Sequence, residues 1–86
     1  MYQVEILDAA APDLSKLDRA VARHIVGRIR WLAENLEEIQ PEALTGNLAG
    51  FYKLRVEDNR VIYEIVAPEQ TILIHLVGHR REIYRS

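Results

Sequence analysis

Seven residues in the second half of this 86-residue chain have the types and spacing to hold a phosphate and the nucleotide attached to it. They are Lys53, Arg55, Arg60, His79, Arg80, Arg81 and Tyr84. Lysine brings a point charge to phosphate oxygens, arginine a planar fork of donors, and a tyrosine ring a face on which an unstacked base can lie. A competing account needs no ligand. Exposed strand positions are often charged, and in the register expected here Lys53 opposes Glu64 while Glu57 opposes Arg60, pairs that support a sheet slightly. The tail shifts the balance, because its arginines, His79 and Tyr84 follow directly on an apolar strand and so bring donors and a stacking ring to the sheet edge.

The element that must position the first three cations is the run Phe51 to Val66, FYKLRVEDNRVIYEIV. Two alternating stretches rich in Val, Ile and Tyr flank Asp58-Asn59, residue types that tolerate the left-handed backbone of a tight turn, so the run predicts a β-hairpin. With Asp58-Asn59 as the loop, Val56 opposes Val61, Leu54 opposes Tyr63 and Tyr52 opposes Ile65, forming one apolar face for the core. The period of two then assigns Lys53, Arg55, Glu57, Arg60, Ile62 and Glu64 to the other, exposed face.

The remaining elements build the platform. Tyr2 to Leu7 alternates as a short edge strand. Asp8 is placed to cap a first helix through Ala9-Ala10-Ala11, with Pro12 in its first turn and Leu14 and Leu17 on its buried side. Asp18 caps a stronger pattern, Val21, Ile25, Ile29, Leu32 and Leu36, which predicts an amphipathic helix over about Arg19 to Leu36. Its outer face carries Arg19, Arg23, Arg30, Glu34 and Glu37, a mixture suited to water. Trp31 borders the apolar stripe and is expected to contact the sheet. Residues 37–50 form a connection interrupted by Pro41, Gly46 and Gly50, with Leu44 and Leu48 as anchors. After a turn at 67–70, Thr71 to Val77, TILIHLV, reads as a central strand covered on both faces, ended by Gly78. The expected fold is α+β, with two N-terminal helices packed on one face of a mainly antiparallel four-stranded sheet, as a single domain over 1–86.

Composition bounds the function classes. The chain is 49% hydrophobic and 28% charged, as in a folded globular domain, and no apolar run approaches a membrane span. The N-terminus has neither the basic flank nor the apolar core of a signal peptide, so a cytoplasmic protein without membrane association is expected. Cysteine is absent, which excludes disulfides, a thiol nucleophile and thiolate metal sites. His24, His75 and His79 lack metal-ligand spacing; His24 belongs to a solvated helix face and His75 to a hydrogen-bonded, partly buried strand position, and no metal is expected. No P-loop, dinucleotide fingerprint or nucleophile elbow occurs. The net charge of −2 argues against a general nucleic-acid footprint, yet the charge is unevenly spread. Residues 1–50 hold five Lys or Arg against eight Asp or Glu, and residues 51–86 hold six against five. Local potential, rather than the total, governs phosphate binding.

The run LTGNLAGFYKLRVEDNRVIYEI, followed by ILIHLVGHRREIY, resembles the RelE toxins of bacterial toxin–antitoxin pairs, within the wider RelE/ParE superfamily. The resemblance covers nearly the whole chain, in the family order of strand, two helices and C-terminal strands. It implies a RelE-like fold and a ribosome-dependent endoribonuclease that cuts mRNA in the A site without metal or cofactor. The substrate's own 2′-hydroxyl attacks the adjacent phosphate. The resemblance further implies a cognate antitoxin that holds the toxin inactive and brings it to operator DNA.

Carried over by motif, Lys53 and Arg60 stabilise the phosphate, Arg80 stabilises it or assists the leaving group, and Tyr84 stacks on or orients the substrate, with His79 and Arg81 as RNA contacts. Arg55 stands where studied members have a lysine proposed as general base. A guanidinium with a pKa of about 12 or more accepts protons poorly, which leaves Lys53, Tyr84 and His79 as alternatives. Two further readings stay open: a ParE-like inhibitor of DNA gyrase, and a catalytically degenerate member that only binds its antitoxin on operator DNA.

Overall fold

Asp18 starts the longest helix as its sequence predicts, its Oδ2 accepting from the Ala20 amide at 3.2 Å. The computed structural model describes residues 1–79 and 81. In chain order these form β1 (Gln3–Ile6), α1 (Ala11–Ser15), α2 (Arg19–Asn35), β2 (Glu42–Ala43), β3 (Tyr52–Val56), β4 (Asn59–Val66) and β5 (Thr71–His79). One sheet has the order β1-β5-β4-β3-β2; β1 runs parallel to β5, and every other pairing is antiparallel. The α+β class and the helices on a single face are as expected. The sheet has five strands instead of four, because Glu42-Ala43 in the connection pairs with Lys53 and Tyr52.

The helix-side core joins Ile25, Ile29, Leu32, Ala33 and Leu36 of the helical stretch to Leu54, Val56, Val61, Tyr63, Ile72, Ile74 and Val77 of the sheet. Leu14 and Leu17 pack against its margin. Each large side chain buried here contributes roughly 1.5–3 kcal/mol relative to exposure. A slip of one residue in the hairpin would turn Val61 and Tyr63 outward, so the parity of the register is strongly held. The register itself is tighter than expected. The loop is Glu57-Asp58, with Glu57 at φ +57°, so Val56 opposes Asn59, Leu54 opposes Val61 and Tyr52 opposes Tyr63. A shift of two residues leaves every side chain on its assigned face.

Other expectations change in detail. Asp8 does not cap α1, which begins after Ala10 with no side-chain cap. Trp31 is 38% exposed, lies outside the core and stacks under the Arg28 guanidinium, 4.6 Å from the ring centre. Gly78 does not end β5, which continues to His79 opposite Asn59. A bulge falls within β5, since Ile62 pairs with Leu76 but Tyr63 with Ile74, leaving His75 as the extra residue. The bulge reverses the alternation, so Ile72 and Ile74 and then Val77 all point to the helices. The opposite face of β5 stays open at Leu76, which is 39% exposed. Gly46 and Gly50, at φ +64° and +97°, supply the left-handed turns between β2 and β3. No helix among the described residues is long and apolar enough to cross a membrane.

Tyr63, stacked on Tyr52 at 5.7 Å, gives a pH test of this core. Burial, reinforced by the charges of Tyr52 and Glu42, pushes its phenol up to about 12. An unfolded tyrosine ionises near pH 10. The stability that the neutral phenol confers is therefore complete below about pH 10 and is lost as the pH rises to about 12. Urea unfolding across this range should show a flatter alkaline limb for Tyr63→Phe than for the wild type. Equal slopes would show that the hydroxyl ionises as freely in the folded chain as in the unfolded one.

Candidate functional site

The face of the sheet turned away from the helices gathers charge at the hairpin. Arg55 on β3 and Arg60 on β4 are directly opposed in the ladder, and Lys53 lies two residues before Arg55, opposite Ile62. Like charges directly across an antiparallel pair destabilise it. Neighbouring groups offset the repulsion in different ways. Glu42, the first residue of β2, brings Oε2 to 3.2 Å from Lys53 Nζ and 3.3 Å from Arg55 Nη2. The hydrogen bond from Lys53, aided by the charges of Lys53 and Arg55, holds the Glu42 carboxyl below its ordinary range, so it is ionised at neutral pH.

Arg60 is handled differently. Its side chain is nearly buried, at 8% exposure, and Nη1 donates to the carbonyl oxygens of Glu57 and Asn59, each at 3.0 Å. This contact ties down the turn in which Glu57 takes its positive φ. Its Nε is buried and, among the described residues, has no hydrogen-bond partner. The expected exposed face is thus only partly exposed. Arg60 and Ile62 are buried, Lys53 is mostly covered, and Arg55 remains open. The expected pairing of Lys53 with Glu64 is replaced by its ion pair with Glu42. In place of the Glu57 pairing, Arg60 binds that residue's carbonyl.

Of the seven residues singled out by sequence, the structure brings Lys53, Arg55 and Arg60 together. His79 points elsewhere: after the bulge it shares the helix side with Asp13, Lys16, Leu17 and Asn59, which line a cleft beside α1. Its Nδ1 accepts from the amide of Arg81, whose side chain is exposed. Arg80 and Tyr84 lie outside the described residues. Glu42 escaped the sequence reading, since nothing in the spacing of a connecting segment signals that two of its residues add a strand beside Lys53. His24 is exposed as expected, and His75 is half-buried, with Nε2 3.0 Å from Glu64 Oε1. The open Arg55 and the mostly covered Lys53 share this face with one ionised carboxylate, while the Arg60 guanidinium is turned to the carbonyls of the turn.

The family profile described as the ParE toxin of the type II toxin–antitoxin system, parDE, matches residues 4–84. No curated protein sequence matches this chain. Among solved structures, the toxin–antitoxin complex RelBE2 from Mycobacterium tuberculosis is similar at 28% identity, over 92% of this chain and 98% of that one, with a TM-score of 0.82. The archaeal RelE–RelB complex from Pyrococcus horikoshii OT3 is 26% identical, over 92% and 94% of the two chains, with a TM-score of 0.69. The isolated Escherichia coli RelE toxin shares the fold at 20% identity, over 99% and 93%, with a TM-score of 0.78. With the profile spanning nearly all of its length and the sheet, helix and hairpin in the same arrangement, this chain belongs to the ParE toxin family of type II toxin–antitoxin systems, within the RelE/ParE superfamily.

Proposed function

We propose that the chain is a ribosome-dependent endoribonuclease that cleaves mRNA in the A site by attack of the substrate's 2′-hydroxyl on the adjacent phosphate. The observation that supports this most directly is the opposed pair Arg55 and Arg60 beside Lys53, a repulsive arrangement that an oxyanion relieves. In the reaction the O2′–P bond forms as the P–O5′ bond breaks. A base takes the 2′-hydroxyl proton, and the 5′ oxygen leaves with a proton of its own. Lys53, Arg55 and Arg60 stabilise the charge that grows on the phosphate oxygens. Arg55 is too weakly acidic to exchange its proton, and Glu42 supplies the acceptor. A bound phosphate competes for the cations that depress the Glu42 carboxyl and adds negative charge beside it. Both changes raise its proton affinity at the moment a base is needed. By family resemblance, Arg80 assists the leaving oxygen and Tyr84 orients the substrate.

A second reading, inhibition of DNA gyrase, is favoured by the ParE description of the matching profile. Parallel assays separate the two: cleavage of mRNA on translating ribosomes, and supercoiling by purified gyrase. Cleavage with unimpaired supercoiling supports the nuclease, and the reverse result supports the gyrase reading.

The related complexes contain antitoxins, and the cytoplasmic partner of this toxin is taken to be a cognate antitoxin. Its docking surface is the apolar groove of about 720 Å³ between edge strand β1 and α2, lined by Val4, Ile6, Val26, Ile29 and Arg30 among others. All four β1 residues are exposed, and among the described residues only β5 pairs with that strand. An extended antitoxin segment alternating apolar and acidic residues would add to this edge and pair with Arg30. Val26, 37% exposed, is a safe site to test this. Val26→Glu should abolish co-purification with the antitoxin while leaving thermal unfolding within the small range of surface changes, about 0.5 kcal/mol. Undiminished co-purification would exclude the groove.

A further inference from the structure

We propose that Phe51, His75 and Glu64 form a nucleobase subsite that selects guanine, a reading that rests on the RNA-cleaving function above and assigns it a specificity element. The β5 bulge is the device that builds it. In the uninterrupted register His75 would oppose Tyr63 and enter the core; the bulge gives that place to Ile74 and turns the imidazole to the far face. There it meets Phe51 edge to face, with ring centres 4.9 Å apart and planes at 83°. It also meets Glu64, with 3.0 Å between Nε2 and Oε1. His75 and Glu64 remain 30% and 41% exposed in their side chains, so the group is open to a ligand.

Position along β4 connects this group to the cations. Arg60, Ile62 and Glu64 alternate on the same face, and Lys53 pairs across from Ile62. Lys53 is therefore about 7 Å along the strand from Glu64, two residues at the usual rise. A nucleotide whose phosphate sits on Lys53 and Arg55 would lay its base toward Phe51 and His75, whose rings offer a stacking surface next to the exposed Leu76.

Glu64 decides which base. An ionised carboxylate only accepts hydrogen bonds, and His75 fixes its orientation through Oε1. Among the described residues Oε2 has no partner. The Watson–Crick edge of guanine presents two adjacent donors, N1–H and N2–H, which a carboxylate can accept in a bidentate pair. Adenine and cytosine put a ring acceptor beside their amino donor, and uracil flanks its single N–H with two carbonyl oxygens. Each of the three would set an acceptor against the carboxylate, so only guanine is complementary at both positions.

The test uses the full chain and short single-stranded RNAs identical except for G, A, C or U at one central position, with dissociation constants measured by fluorescence anisotropy. Cleavage sites on translated mRNA are mapped in parallel. The wild type should bind the guanine RNA at least about tenfold more tightly than the other three, the discrimination that a bidentate contact gives. Glu64→Gln should remove that preference while leaving affinity for the other RNAs and thermal unfolding nearly unchanged. His75→Phe, which keeps the stacking ring but releases the carboxylate, should weaken the preference only in part. Absence of discrimination in the wild type, with or without measurable binding, overturns the subsite, as does a guanine preference that survives in Glu64→Gln. Failure of the nuclease reading is distinct, appearing as no cleavage of ribosome-bound mRNA whatever the binding preference.

Discussion

Lys53→Met is expected to lower single-turnover cleavage of ribosome-bound mRNA by about 10²–10³-fold, the usual loss when one preorganised donor to a developing oxyanion is removed. Methionine keeps the unbranched stem, which matters because the Lys53 side chain is only 13% exposed and lies across from buried Ile62. Stability should consequently change by no more than about 1 kcal/mol, since Glu42 retains its contact with Arg55 at 3.3 Å. The comparison is Arg23→Ala, which deletes an exposed helix charge far from the hairpin. Cleavage and thermal unfolding are to be measured on the same samples. If both variants lose activity equally and slightly, the cations supply only diffuse attraction and the phosphate site at Lys53 is wrong.

Arg60→Ala should behave otherwise, losing stability as well as activity. Its guanidinium makes two bonds to turn carbonyls, and a charged donor to a neutral acceptor is worth roughly 1.5–3 kcal/mol. Relief of repulsion with Arg55 and the loss of a buried Nε that has no partner among the described residues act in the opposite direction. A net destabilisation of about 2–3 kcal/mol remains, which in a domain of this size lowers the melting temperature by roughly 10–20 °C. Arg60→Lys preserves the charge but cannot reach both carbonyls in one plane, so an intermediate loss is expected. Urea unfolding checks this directly. A fully stable Arg60→Ala protein that no longer cleaves would mean that the turn bonds contribute nothing and that Arg60 serves the substrate alone.

Particular residues show how much was legible before folding. The stripe Val21, Ile25, Ile29, Leu32 and Leu36 repeats at helical spacing, and the last four are buried as read while Val21, at the start, is half-buried. The hairpin faces were also legible, since a turn placed one residue off shifts the cross-strand register by two and leaves the parity unchanged. Alternation fails where the chain breaks it. TILIHLV is apolar nearly throughout, so nothing in it marks the bulge that sends His75 to the cation face and His79 to the helix side. The two-residue strand β2 is too short to have a period, and Glu42 reaches Lys53 and Arg55 only through a pairing made by the folded sheet. Trp31 illustrates a third limit. A residue at the border of an amphipathic stripe is buried or exposed according to how the helix is rolled, and here the roll leaves its ring to Arg28.

The most direct test of the central claim is the chemistry of the RNA ends. Translating ribosomes stalled on a defined codon are incubated with the purified toxin, and the A-site fragments are examined by end-specific ligation and mass spectrometry. Intramolecular attack of the 2′-hydroxyl predicts an upstream fragment ending in a cyclic phosphate and a downstream fragment beginning with a 5′-hydroxyl, both diminished in Lys53→Met. Intact mRNA, or fragments bearing 5′-phosphates, would contradict the account.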